Sequence, residues 1–382
     1  MDTDFEIFLA APPGLEDTLR DEAAAAGFAE PVATPGGVTT RGGWPEVWRA
    51  NLELRGAGRV LARIGAFRAF HLAQLDKRAT KFPFADFLPQ GAAMKVEATC
   101  RRSKIYHAGA AIQRVEKALE KTIGATFPKA NEKRPEDPED APDEDLLRLM
   151  VRIEDDLVTL SLDTSGAALH RRGFKEAVGK APMRETMAAL FLRQCGYDGS
   201  EPVLDPMCGS GTFPIEAAEI AMGLMPGRAR SFAFEHFPGF EAAAFAALKA
   251  AHAPRDTALT FHGSDRDAGA IRMSTANAGR AGVAGVTRFT NAAISDLQRP
   301  EGPPGLVIIN PPYGARIGNK GMLFGLHARM GEVLRERFGG WRVGIVTSER
   351  ALAQATGLPF LPPGPPVAHG GLKVTLWRTG PL

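Results

Sequence analysis

Cysteine is scarce in this 382-residue chain. The three present, Cys100, Cys195 and Cys208, have no paired spacing, which excludes a disulfide framework or a Cys-rich zinc site and fits a reducing cytosol. His107 falls in no zinc-ligand spacing either, so no metal site is read. The acidic start Met1-Asp2-Thr3-Asp4-Phe5-Glu6 lacks the basic and apolar segments of a signal peptide. No apolar run approaches membrane-spanning length. The expectation is a cytoplasmic protein with no membrane partner. Hydrophobic residues at 44% suffice for sizeable cores over two or three domains.

What the chain does have is Val203-Leu204-Asp205-Pro206-Met207-Cys208-Gly209-Ser210-Gly211-Thr212, an apolar strand that turns on glycines into a helix, Phe213 to Met222. Glycine lets a ligand lie directly against backbone amides, where any Cβ would hold it off. Two phosphate-binding readings fail. Pro214 stands where the NAD fingerprint needs its third glycine, and Asp265 lies more than twice too far on for the ribose acid. A Walker loop would need Gly-Lys-Ser/Thr, which is absent.

A second apolar strand, Leu306-Val307-Ile308-Ile309, ends in Asn310-Pro311-Pro312-Tyr313-Gly314. An Asn side-chain oxygen and the Pro311 carbonyl can accept both N–H groups of an amine conjugated to a ring. That turns the nitrogen lone pair toward an electrophile and stabilises the positive charge it develops. Proline fixes the backbone so that the two acceptors converge, and Tyr313 offers a ring for a flipped base to stack on. Together the two stretches resemble motifs I and IV of class I S-adenosylmethionine (SAM) methyltransferases acting on exocyclic amines. In that reading Asp205 faces the cationic methionine end, and Pro206, Cys208, Gly209, Ser210, Gly211 and Thr212 form the cofactor turn. Asp265, with Arg266 beside it, meets the ribose, and Asn310 borders both cofactor and acceptor. Asp267 is the better candidate for the cap of the next helix.

From Val203 onward strands and helices alternate, which argues a doubly wound, mostly parallel α/β sheet. Before it, strands near 6–10, 38–41 and 60–67 and helices near 15–26 and 44–54 suit an α+β ferredoxin-like unit. Arg59 to Lys121 carries thirteen basic residues against five acidic ones. It holds Arg101-Arg102-Ser103-Lys104-Ile105-Tyr106-His107 at a strand–helix junction, a pattern suited to a nucleic-acid backbone. Glu132 to Asp145 has eight acids and three prolines and reads as a mobile loop. A hairpin, 147–153 with 157–162, follows. A Phe-, Pro- and Ala-rich insertion, 226–254, delays the second strand of the C-terminal sheet.

End to end the chain resembles the THUMP-domain RNA guanine-N2 methyltransferases of the RlmL/YpsC type. The landmarks are Pro13-Gly14-Leu15-Glu16, Ser103 to His107, Ser161-Leu162-Asp163-Thr164-Ser165-Gly166, Leu169-His170-Arg171-Arg172-Gly173-Phe174 and Ala181-Pro182-Met183-Arg184-Glu185, with the two motifs above. The resemblance implies a ferredoxin-like domain at 1–68, a THUMP RNA-binding domain at 69–165 with an acidic loop at 130–145, and a Rossmann-like class I methyltransferase domain at 166–382. It also implies SAM as cofactor, N2-methylguanosine in 23S ribosomal RNA as product, and Arg101, Arg102, Lys104, Tyr106, His107, Arg171 and Arg172 as RNA contacts. The 290–296 loop lacks the acid that many relatives place near the adenine, and Ala315 stands where Glu is common. The same chemistry on tRNA, a DNA adenine methyltransferase, and a non-catalytic RNA-binding or ribosome assembly factor with a vestigial SAM site are the alternatives.

Overall fold

A computed structural model describes residues 4–128, 146–175, 183–312, 320–369 and 371–382. The chain divides into two compact units.

The first unit is built on one seven-stranded sheet. Its elements are β1 (Phe5–Ala10), α1 (Glu16–Ala25), β2 (Ala29–Thr34), β3 (Gly37–Gly42), α2 (Trp44–Glu53), β4 (Arg59–Arg68), α3 (Leu72–Thr80), β5 (Met94–Arg101), α4 (Ala108–Ile123), β6 (Leu147–Glu154) and β7 (Leu157–Asp163). The strand order is β2-β3-β1-β4-β7-β6-β5. The sheet is continuous across the expected boundary at 68/69, because β4 pairs antiparallel with β7 from Leu61↔Asp163 to Arg68↔Leu157. Helix α4 forms because Ala111, Val115, Ala118, Leu119 and Ile123 recur on one face and are buried. His107 caps its start, accepting the Ala110 N–H at 3.0 Å, and Gly124 ends it at φ 65°. The acidic loop expected at 130–145 lies wholly within 129–145, outside the described residues.

The second unit departs from the contiguous 166–382 domain expected. It comprises 12–19, 170–229 and 252–382, while Arg230–Ala251 groups with the first unit. The reason is aromatic packing: Phe234, Phe240 and Phe245 close on Trp48 at centroid distances of 6.3, 5.7 and 6.4 Å, and Phe237 meets Trp44 at 5.7 Å. Arg230 also donates to the carbonyls of Ala167 and Ala168.

The elements from α5 onward are α5 (Glu185–Gln194), β8 (Val203–Asp205), α6 (Thr212–Ala221), α7 (Ala242–Ala250, in the first unit), β9 (Phe261–Asp265), α8 (Ala268–Ala281), β10 (Thr287–Asn291), β11 (Leu306–Ile309), α9 (Lys320–Arg337), β12 (Arg342–Thr347), α10 (Arg350–Ala355), β13 (Val367–His369) and β14 (Leu372–Arg378). The sheet order is β10-β9-β8-β11-β12-β14-β13, parallel from β10 to β12 and antiparallel at β14 and β13. This is the mixed, Rossmann-like α/β sheet expected. Leu306 to Ile309 are fully buried, as strands covered on both faces require. The order reverses at β8, so ligands collect at the carboxyl ends of β8, β9 and β11.

Candidate cofactor and methyl-acceptor site

Asp205 ends β8 at 2% exposure, its Oδ1 accepting the Met207 N–H at 3.0 Å. Burial, with the Asp265 carboxylate adding to it, pushes its pKa up to about 8. The chain then turns through Gly209 (φ 52°) and Gly211 (φ 86°), both in the left-handed region. A Cβ on Gly211 would stand 2.9 Å from the Ser274 Cβ. Cys208 is buried, donates its N–H to the Ser264 carbonyl at 3.0 Å, and packs its sulfur against Gly263, where a Cβ would come to 3.0 Å. Burial raises its thiol pKa, so it fills the turn and is no nucleophile.

Asp265 ends β9, and its two oxygens accept the N–H groups of Gly209 at 3.1 Å and Asp267 at 2.9 Å. It therefore ties the glycine turn to the adjoining strand end. Asp267 caps α8, accepting the Gly269 N–H at 2.7 Å. Asn291 donates to the Asp265 carbonyl at 2.8 Å, which occupies its side chain where the sequence lacks an acid. Arg266 is exposed.

Strand β11 pairs with β8 at Leu306↔Val203 and Val307↔Leu204. Asn310 therefore stands two residues, about 7 Å, beyond the level of Asp205. Its Oδ1 is buried and, among the described residues, has no hydrogen-bond partner. An orphaned buried acceptor costs about 1–3 kcal/mol, a cost removed by a ligand N–H. Pro311 is buried and Pro312 half-buried, while Tyr313 lies outside the described residues.

A buried carboxyl, Asp205, and a half-buried one, Asp265, beside a glycine turn disfavour a phosphate and suit a cation. The site therefore fits the ammonium and sulfonium of SAM. A cleft of about 650 Å³ lies on the β8–β9–β10 face and is lined by Leu204, His262, Ser264, Thr290 and Leu297; Asp205, Gly209, Asp265 and Asn310 do not line it. Among the described residues no group of three His, Cys, Asp or Glu could hold a metal.

The expected RNA contacts separate. Arg101 and Lys104 are exposed, and Tyr106 is 84% exposed. The Lys104 ammonium sits 5.1 Å from the Phe70 ring centre, and the Lys104 backbone N–H donates to Asp156 Oδ1 at 2.8 Å. Phe70 and the 154–156 turn thus belong to this surface, though the sequence marked the turn only as a hairpin. Arg102 is paired with Glu154 and Asp155, and the His107 Nδ1 is occupied as a helix cap. Arg171 is half-buried. Arg172 is a correction: at 2% exposure, with its guanidinium 3.2 Å from Glu216, it is an interior ion pair and offers no surface to RNA.

Comparison with known proteins bears on the fold and the cofactor. Residues 172–359 match the RMKL-like methyltransferase domain, and residues 6–61 match the RlmL ferredoxin-like domain. A ribosomal RNA large subunit methyltransferase K/L of Syntrophotalea carbinolica is 35% identical over 94% of this chain, which spans about half, 51%, of that protein. The structure of SMU.472 complexed with SAH, the demethylated form of SAM, superposes with a TM-score of 0.86 at 27% identity, covering 100% of this chain and 99% of that one. A Listeria monocytogenes protein described as a predicted N6-adenine-specific DNA methylase gives a TM-score of 0.85 at 30% identity, covering 99% and 97%. Among the described residues no helix is long and apolar enough to cross a membrane. The chain therefore carries an RlmL ferredoxin-like domain and an RMKL-like, SAM-dependent methyltransferase domain, on a fold shared over its full length with an SAH-bound protein.

Proposed function

We propose that this chain methylates the exocyclic N2 amine of a guanosine in RNA, with 23S ribosomal RNA or a large-subunit precursor as substrate and residues 69–165 as a THUMP RNA-binding domain. The observation that carries the reading is the buried, unpartnered Asn310 Oδ1 at the carboxyl end of β11, beside the glycine turn. The guanine N2 lone pair is delocalised into the ring, so the amine needs orienting more than deprotonating. Asn310 Oδ1 takes one N–H and the Pro311 carbonyl the other, leaving the lone pair aimed along the transfer line. SAM supplies the electrophilic methyl. The same two acceptors stabilise the charge that develops on nitrogen, and the proton then leaves to water. Asp205 and the Gly209–Gly211 amides hold the amino-acid end of the cofactor, and Asp265 the ribose.

Similarity to the ribosomal RNA large subunit methyltransferase K/L of Syntrophotalea carbinolica supports ribosomal RNA, as does the exposed Arg101–Lys104–Tyr106–Phe70 surface, where a basic stem and two rings suit backbone and bases together. The description of the Listeria protein supports a second reading, adenine N6 in DNA, since the acceptor chemistry is the same. Nucleoside mass spectrometry on fractionated RNA from cells with and without the gene separates them. Loss of N2-methylguanosine from large-subunit RNA is expected. Loss from tRNA would move the substrate, and transfer to a DNA duplex with none to RNA would replace the reading. Asn310→Ala should cut transfer by about 10²–10³ while sparing SAM binding; full activity would sink the assignment.

A further inference from the structure

The Arg172–Lys175 segment carries strong positive charge, yet its polar groups turn inward onto the cofactor turn. Lys175 Nζ lies 2.9 Å from Thr212 Oγ1 and 2.8 Å from Glu185 Oε1, with both charged side chains nearly buried. The Thr212 hydroxyl in turn donates to the Met183 carbonyl at 3.3 Å. Thr212 is the first residue of α6, so Lys175 grips the end of the turn. A second route runs from the same segment. Arg280 Nε donates to the Phe174 carbonyl at 2.7 Å, the Arg280 guanidinium pairs with Asn277 Oδ1, and Asn277 Nδ2 donates to the Ser210 carbonyl at 3.0 Å. Asn277 is fully buried and Ser210 5% exposed. Gly173 makes the approach possible: at φ 91° it passes Ala229 so closely that a Cβ would stand 2.6 Å from the Ala229 oxygen.

We propose that Lys175 and Asn277 are positioning residues that hold the Ser210–Thr212 backbone in its cofactor-receiving orientation, Asn277 by fixing the Ser210 carbonyl and Lys175 by fixing Thr212. The physical need is specific. Ser210 lies between two glycines with left-handed φ, where the backbone is freer to rotate than between residues that carry a Cβ, and the Gly211 N–H is held, among the described residues, only by the Cys208 carbonyl of the same turn, at 2.8 Å. Rotating the Ser210–Gly211 peptide would turn its carbonyl toward the cofactor carboxylate, replacing a donor-lined surface with a repelling oxygen. Asn277 Nδ2 holds the carbonyl in the interior. Both residues are proposed to act through the turn and not on the cofactor itself. The inference rests on SAM occupying this turn.

Asn277→Asp tests it in the full chain. The change keeps shape and strengthens the pairing with Arg280, but sets an oxygen against the Ser210 carbonyl. Calorimetry with SAM should show the dissociation constant raised about tenfold or more. The affinity for a 23S ribosomal RNA transcript should stay at the wild-type value. Lys175→Met should also weaken SAM, and Lys175→Arg should restore it. Wild-type SAM affinity in Asn277→Asp overturns the proposal. So does a lowered melting temperature with unchanged SAM affinity, which makes the contact merely structural, or weakened RNA binding alone, which returns the segment to the RNA surface. Failure of the wild-type chain to bind SAM would instead sink the reading beneath it.

Discussion

If Asp205 holds the cofactor ammonium as proposed, SAM binding should depend on pH in a calculable way. The Asp205 pKa rises from an ordinary 3.8 to about 8 because the carboxyl is buried and faces Asp265. In the cofactor-free protein at neutral pH the group is therefore mostly protonated, and a bound ammonium draws it back to the charged form. With a pKa near 8, about one molecule in three hundred is ionised at pH 5.5 and about one in eleven at pH 7.0, so affinity should climb about thirtyfold across that window. Above it the α-amino group of the cofactor itself deprotonates, at about 7.7–8.0, and the gain stops. Calorimetry in buffers of different ionisation heat should record close to one proton released per SAM at pH 6.5. Asp205→Asn should bind more weakly at pH 7 and show no slope. The linkage to folding has the opposite sign. A carboxyl whose folded pKa lies above its unfolded value stabilises the free protein at low pH and loses that contribution as pH rises from about 4 to about 8. SAM should then raise the melting temperature more at pH 8 than at pH 6. Flat affinity from pH 5.5 to 7.0 with no proton release would refute the reasoning.

Other changes have defined outcomes. Gly211→Ala forces a side chain into φ 86° and to 2.9 Å from Ser274; it should cost about 1–3 kcal/mol and abolish SAM binding, read by denaturation and calorimetry. Arg172→Met removes the guanidinium that pairs with buried Glu216 and should cost about 3–5 kcal/mol, while leaving the salt dependence of RNA binding unchanged in a filter assay. Tyr106→Ala should leave the melting temperature alone and weaken RNA by about 1–3 kcal/mol. Trp48→Ala should destabilise by about 3–5 kcal/mol, seen as a lower melting temperature.

Much of this was legible in the residues. The α8 range, Ala268–Ala281, follows from the Asp267 cap and Gly282 beyond the end, since both signals are local. Strand β11 announces itself by an unbroken apolar run. Strand β2, Ala29–Thr34, was missed because it is mostly exposed and carries Pro31, so no alternation marks it. Helix α3 was missed because only Leu75 and Ala79 of its nine residues are buried. At the site, Asp205, Gly209, Gly211 and Asp265 are local in sequence to the strand ends and could be named. Lys175 and Asn277 could not, because they reach the turn from elements 37 and 67 residues away. Arg172 misled for the same reason: charge in a sequence says nothing of whether a buried Glu216 waits for it.

The aromatic insertion has a consequence for the order in which this chain acquires structure. Trp48 emerges from the ribosome early, but the rings that cover it belong to Phe234, Phe240 and Phe245. The N-terminal unit therefore stays incomplete until about two hundred further residues have been synthesised, by which point the glycine turn and β8 are already out. Neither unit is a contiguous cassette. A fragment ending at Leu169 lacks the partner of its own tryptophan face, and dissecting the protein into working halves calls for grafting 230–251 onto the first rather than cutting the chain once.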